Sequence, residues 1–217
     1  MAYTRGSSNN IIVGAAALFT FEDGPIGATV AGITNTQALV DLPDYVNNVS
    51  YKTTLSNDAN YRNVGYTNNG LQITYNPTYD SVTVDQLLDT AKLFKSAMEV
   101  MIATEMAEGT LENVLVVFGQ GQSTLTNSGK TLGLEAGALG VAPTERQLIA
   151  IGQAPTETSA TTERIYYARR VLSVQQTQFS LARNTPTSFP VTFRLLPDAG
   201  YTGSEYGKII DRTWTVA

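Results

Sequence analysis

The chain has 217 residues, enough to bury a core in one large domain or two small ones. Its 14 basic and 19 acidic residues give a formal charge of −5, which argues against phosphate binding through a basic face. There is no cysteine and no histidine, so disulfides, thiolate nucleophiles, Cys-ligated zinc and every Ser-His or Cys-His dyad are excluded. Charged residues make up only 15% of the chain, while there are 29 threonines, 14 asparagines, 18 glycines and 11 tyrosines. Threonine and tyrosine suit pleated surfaces, and asparagine and glycine suit turns, so the composition predicts a mainly β protein. A charge-poor surface rich in uncharged polar groups also fits a protein that packs against many neighbours.

In chain order, residues 1–10 read as an N-terminal arm. Arg5 ahead of the apolar run Ile11–Phe21 superficially resembles a secretory signal. The run is short, lacks a small-residue cleavage site and meets Glu22-Asp23-Gly24-Pro25, so it predicts a buried strand ending in a turn. No stretch reaches the roughly 18 apolar residues of a membrane span. From 32 to 66 the sequence is polar and irregular, a long loop excursion of the kind that is functional or interface-forming. Val64-Gly65-Tyr66-Thr67-Asn68-Asn69-Gly70 reads as a turn, followed by a half-buried strand with Leu71, Ile73 and Tyr75 on one face. Lys92–Ala107 fits a helix and a strand equally well by periodicity. Thr110 is placed to cap a short helix whose core face would be Leu111, Val114, Leu115 and Phe118, with Gly119 as its stop. Residues 120–140 read as loops with a turn at Asn127-Ser128-Gly129-Lys130. Ile165–Val174 alternates as a strand, Phe179–Arg183 and Val191–Leu195 read as closing strands, and 200–217 as a C-terminal arm. No internal repeat or linker divides the chain, so 1–217 reads as a single domain.

The candidate chemistry is thin. Gly129-Lys130-Thr131 is the closing half of a phosphate-binding loop, but Thr124 stands where its first glycine belongs. Glu99, Glu105, Glu108 and Glu112 read as surface and capping carboxylates, and Asp41, Asp44 and Asp58 lack calcium-loop spacing. The Arg169-Arg170 doublet alternates across a strand and reads as pairing to a neighbour's carboxylate. No catalytic constellation and no cofactor or metal site emerges.

One series of segments carries more. Val64–Ile73, then Val82-Thr83-Val84-Asp85-Gln86, Met106-Ala107-Glu108-Gly109-Thr110-Leu111-Glu112-Asn113 and Pro190–Asp198 resemble, in order and spacing, the strand signatures of phage major tail tube proteins. Gly14-Ala15-Ala16-Ala17-Leu18 fits the start, and the resemblance spans about residues 11 to 212. It implies that Lys92–Ala107 is a strand followed by the helix. It also implies two antiparallel sheets packed orthogonally with one short flanking helix, subunits sharing a β-barrel in hexameric rings, and rings stacked into a tube around double-stranded DNA. The implied partners are further copies of the chain, a tail sheath, baseplate and tail-terminator proteins, and DNA that passes without specific binding. The implied location is the virion tail, after assembly in the host cytoplasm, with no enzymatic activity.

On that reading, the polar face of the ambiguous strand, Lys95, Glu99 and Glu105, faces the lumen, opposite Phe94, Met98, Val100, Ile102 and Met106. The excursion supplies ring-stacking residues: Tyr45, Asn47, Tyr51, Lys52, Asp58, Tyr61 and Arg62. The rival reading is a monomeric β-sandwich carbohydrate-binding or adhesin module with tyrosines and Trp214 as its platform.

Overall fold

The computed structural model describes residues 12, 14–21, 29–30, 33–34, 49–58, 61–83, 85, 89–136, 144–155, 161–175, 177–181, 183–184 and 186–214. In chain order they form β1 (Ala17–Phe21), β2 (Thr29–Val30), β3 (Ile33–Thr34), α1 (Tyr51–Ser56), β4 (Tyr61–Asn63), β5 (Thr67–Thr83) and β6 (Thr90–Met106). Then follow α2 (Leu111–Val117), β7 (Leu125–Thr126), β8 (Thr131–Leu132), β9 (Arg146–Gln153), β10 (Thr162–Ser173), β11 (Phe189–Leu195) and β12 (Gly207–Thr213). The protein is mainly β. Its main sheet has eight strands in the order β4-β1-β9-β10-β11-β6-β5, with β12 also on β10, and every pairing is antiparallel. The hairpins β2–β3 and β7–β8 stand apart from it.

The sheet forks at β10. One edge of β10 carries β9 from Glu163 to Val171. The other is divided: β12 pairs with Thr162–Ala168 and β11 with Val171–Ser173. A register shift between Ala168 and Val171 marks the division. Beyond it the chain leads into two separate limbs.

β1 and β9 are covered on both faces, which is why their sequences run almost unbroken in apolar residues. Leu18, Leu148 and Ala150 face a cluster completed by Ile102, Phe193 and Leu115. Phe19, Phe21, Ile149 and Ile151 face the opposite way, onto Tyr51, Leu55 and Tyr61. Each such side chain contributes about 1.5–3 kcal/mol by leaving water. The β9 segment Leu148-Ile149-Ala150-Ile151 is the centre of the sheet, and the sequence reading passed over it, although a short apolar run before Gly152 is a buried-strand signal.

Over residues 49–58 and 61–66 the excursion is not an irregular loop. It contains α1, whose N-cap Ser50 accepts from the Thr53 amide at 3.3 Å, and β4, which pairs with β1. Six residues are too few for a helical period to show, and α1 is held by burying Tyr51 and Leu55 rather than by propensity. The C-terminal segment is not an arm either, since β12 pairs with β10 over seven positions. Phe179–Arg183 forms no strand: Phe179 sits against Phe118 and Phe189 instead, with ring centroids 6.3 and 4.7 Å apart. The N-terminal arm, residues 1–10, lies outside the described residues.

The capped helix exists where the sequence placed it. Thr110 accepts from the Asn113 amide at 3.2 Å, and Gly119 leaves it at φ +66. Its buried face is rotated from the expected one. Leu115, Val116, Val117 and Asn113 are buried, Val114 is half-buried, and Leu111 and Phe118 are 36% and 40% exposed. The cause is Asn113, whose Nδ2 donates to the Val64 and Glu108 carbonyls at 2.9 and 3.0 Å and whose Oδ1 accepts from Arg62 at 2.8 Å. A buried polar side chain with three hydrogen-bond partners fixes the helix's rotation against the apolar stripe.

The truncated phosphate-loop motif is the β7–β8 hairpin, with Asn127 and Ser128 both at φ 54 in its turn. The arginine doublet splits. Arg170 makes a bidentate pair with Glu145 of the same chain at 2.6 and 2.7 Å. Arg169, 2% exposed, lies 3.7 Å from the Tyr201 ring centre and donates to the Ser204 carbonyl, pinning the 198–206 loop.

A buried carboxylate ties the fork to α1. Glu163 on β10 pairs with Arg212 on β12 at 3.3 Å and accepts from the Tyr51 amide at 2.7 Å. Arg212 also donates to the Val49 carbonyl. Burial pushes the Glu163 carboxyl up, and the Tyr51 N–H and Arg212 offset this only in part. A carboxyl raised in the folded state binds its proton more readily there than in the unfolded chain. Its contribution to stability therefore grows as pH falls through the raised value toward the ordinary carboxylate range near about 4.3. Relative to Glu163→Gln, the native chain should gain stability as pH is lowered from 7.5 to about 4.5, measured as denaturant midpoints. A difference that shrinks over that window would reverse the assignment.

Candidate assembly surface

β5 and β6 are each 17 residues long and pair along almost their whole length, yet β11 covers only Met101–Met106 of β6. The remainder, Thr90–Val100 with Tyr75–Thr83, projects as a two-stranded arm about 33 Å long at roughly 3.3 Å per residue. No residue of β5 is buried, and the first eight residues of β6 are exposed. A two-stranded ribbon of this kind is marginal in water on its own.

The arm departs from the sheet at a bulge. Asn69, Gly70 and Leu71 stand opposite Thr104 alone, with Asn69 at φ 59 and Gly70 at φ 67, and Gly70 accepts from the Thr104 hydroxyl at 3.0 Å. Asn69-Gly70 carries the residues of a turn yet forms a bulge, because turns and bulges use the same left-handed residues. The strand beyond is also less buried than expected: Leu71 is half-buried, but Ile73 and Tyr75 are 43% and 65% exposed.

Register decides which side chains share a face. Near the sheet, Ile73, Tyr75 and Pro77 stand opposite Ile102, Val100 and Met98. Thr78 then pairs with Ala97, but Tyr79 pairs with Lys95, so Ser96 is an extra residue on β6. Past this bulge the phase of β6 reverses. Leu93 and Lys95 join the face of Tyr75 and Tyr79, and Phe94 joins the face of Ala97 and Glu99. The expected grouping of Lys95 with Glu99 and Glu105, and of Phe94 with Met98, therefore fails at Ser96. Strict alternation in the sequence could not reveal an insertion that only pairing defines.

The outcome is an apolar face continuous with the core cluster, in which Ile73, Tyr75, Tyr79 and Leu93 are 43%, 65%, 58% and 64% exposed. At its base a groove of about 210 Å³ lies at the fork between the arm and β12, lined by Tyr75, Val100, Tyr166, Leu195, Tyr206 and Ile209 among others. Lys95 lies within electrostatic range of Glu205 beside this groove. The Gly203 amide and the residue's own N–H are the main causes that hold the Glu205 carboxyl low, and Lys95 adds to them. On the opposite face Glu99 pairs with Arg194 at 3.6 Å, while Glu105 accepts from Asn69 and Ser188. Glu99 and Glu105 thus share one face, as the sequence implied.

The expected stacking residues are scattered. Tyr51 and Tyr61 are 0% and 6% exposed and belong to the core. The Tyr61 hydroxyl donates to Gln147 at 3.3 Å, and burial pushes its titration up. Arg62 is committed to Asn113 and pairs with Glu112 at 3.6 Å, Asp58 is half-buried, and only Lys52 is exposed. Tyr45 and Asn47 lie outside the described residues. Because α1 packs on one face of β1 and β9 and β4 extends their sheet beside β1, this part of the excursion is structural. The junction motif is also structural: Glu108 accepts from the Tyr66 amide at 2.9 Å, above Gly65 at φ +86, where a Cβ would fall 2.2 Å from the Glu108 carboxylate.

Among the described residues no group of three or more acidic side chains is placed to hold a metal ion, and no helix is long and apolar enough to cross a membrane. No protein-family model and no curated protein matches the chain.

Proposed function

We propose that this chain is a structural subunit of a phage-type tail tube, in which copies close into hexameric rings and the rings stack around passing double-stranded DNA. The observation that carries the reading is the arm: a long ribbon with one apolar face, outside the sheet that anchors it, is complete only against another molecule. The resemblance of the flanking segments to tail tube strands names the kind of assembly. Ring closure joins the sheets of neighbouring copies into a shared barrel, with a second layer packed across it, and head-to-tail contacts between rings propagate into a tube. A sheath, baseplate and terminator would meet its outer wall and ends. Electron microscopy and sedimentation of the purified chain test this. Rings or tubes are expected, and a monodisperse monomer at high concentration would refute it in favour of a binding module.

The lumen is assigned to the face of Glu99 and Glu105. Repeated around each ring, Glu105 together with the Glu99–Arg194 pair leaves this stretch without net positive charge, which keeps DNA from adhering. Glu99→Lys with Glu105→Lys is expected to assemble but to slow DNA passage, most strongly at low salt where screening is weak. Unchanged ejection kinetics at low ionic strength would remove the assignment.

A further inference from the structure

Given the assembly reading above, on which this inference rests, the question is which surfaces of two copies meet. The main sheet leaves four free edges among the described residues: β4 with three residues, β5 with 17, β12 with seven, and Thr90–Val100 of β6, whose edge the extra residues Ala91 and Ser96 interrupt. Edges of this kind are templates for strand pairing. β4 is too short to carry an interface. On β5, Pro77 removes a donor midway and blunts the edge there, leaving the distal Thr78–Thr83 as an unbroken run of six, a match in length for β12. Apolar exposure collects at the same two places. Tyr79 and Leu93 on the distal arm are 58% and 64% exposed, and Ile209 on β12 is 66% exposed beside the groove at the fork.

We infer that the distal arm of one copy lies along β12 of the next, with Thr78–Thr83 of β5 extending that copy's free β12 edge and Tyr79 and Leu93 packing toward its Ile209. The contact is head-to-tail, since it uses two different surfaces of the same chain, and it therefore closes a ring or propagates. A second copy is favoured over a foreign strand because the chain itself carries both halves, edges of six and seven residues that each have exposed apolar side chains beside them.

The chain has no cysteine, which makes the test clean. Tyr79→Cys together with Ile209→Cys, treated with a short thiol cross-linker, is expected to give a ladder of multimers on a denaturing gel, because every copy bears both halves. A dimer and nothing larger would mean a two-fold contact. A cross-linked monomer would mean that the arm folds onto its own β12. Either result overturns the inference. Rings or tubes without any cross-link would overturn this contact and leave the tube reading standing, whereas a wild-type chain that never assembles removes both. Tyr79→Asp with Leu93→Asp supplies the second measurement. The concentration needed for assembly should rise at least tenfold while the melting temperature of the monomer is unchanged, since neither side chain is in the core. Normal assembly of that variant would show that something else covers the arm.

Discussion

Gly207→Ala should cost about 3–5 kcal/mol and detach β12 from β10, because backbone clash adds to conformational strain. Gly207 opens β12 opposite Ala168, at the fork, with φ +148. A Cβ there would fall 1.8 Å from the Tyr167 carbonyl oxygen and 2.9 Å from its carbon, atoms of a central strand that cannot step aside. The loss should appear in denaturant unfolding, with amide exchange rising first along β12. Gly203 is the control: it has φ +83 but no atom within 4 Å of its would-be Cβ, so Gly203→Ala should cost only about 1 kcal/mol. Equal losses at the two positions would mean that left-handed strain alone, and not the approach to Tyr167, demands glycine at 207.

Asn113→Ala should rank next, at about 3 kcal/mol. It strands the buried Val64 carbonyl, worth about 1–3 kcal/mol when left unpaired, removes the half-buried bond to Glu108 and releases Arg62. Asparagine is 1% exposed there, whereas Phe118 on the same helix is 40% exposed. Phe118→Ala should therefore cost only about 1 kcal/mol, chiefly the contact with Phe179. Comparing the two by urea unfolding tests the rotation of the helix directly. A larger loss at Phe118 than at Asn113 would restore the apolar stripe as its buried face.

The contrast between these residues shows how far sequence reaches in this protein. The β class followed from threonine, tyrosine, asparagine and glycine usage, because those residues act through local backbone preference. The helix ends followed from Thr110 and Gly119 for the same reason, and the hairpin turn from Asn127–Lys130. Glu99 and Glu105 shared a face because β6 has no extra residue between them, the intervening bulge being on β5. Apart from the missed β9 and the Asn69-Gly70 bulge, what failed depended on a partner distant in sequence. Asn113 turned its helix through bonds to Val64 and Arg62; Ser96 inverted the arm's faces only because Tyr79 pairs with Lys95; Tyr51 and Tyr61 were drawn from an apparent loop into the core by Phe19, Phe21 and Ile149. The arm itself illustrates the division. Alternation marked β5 only over Leu71–Tyr75 and left β6 undecided between helix and strand; that β11 stops at Met101 and leaves the rest unsupported is a matter of where a non-local strand ends, which the tertiary structure alone decides.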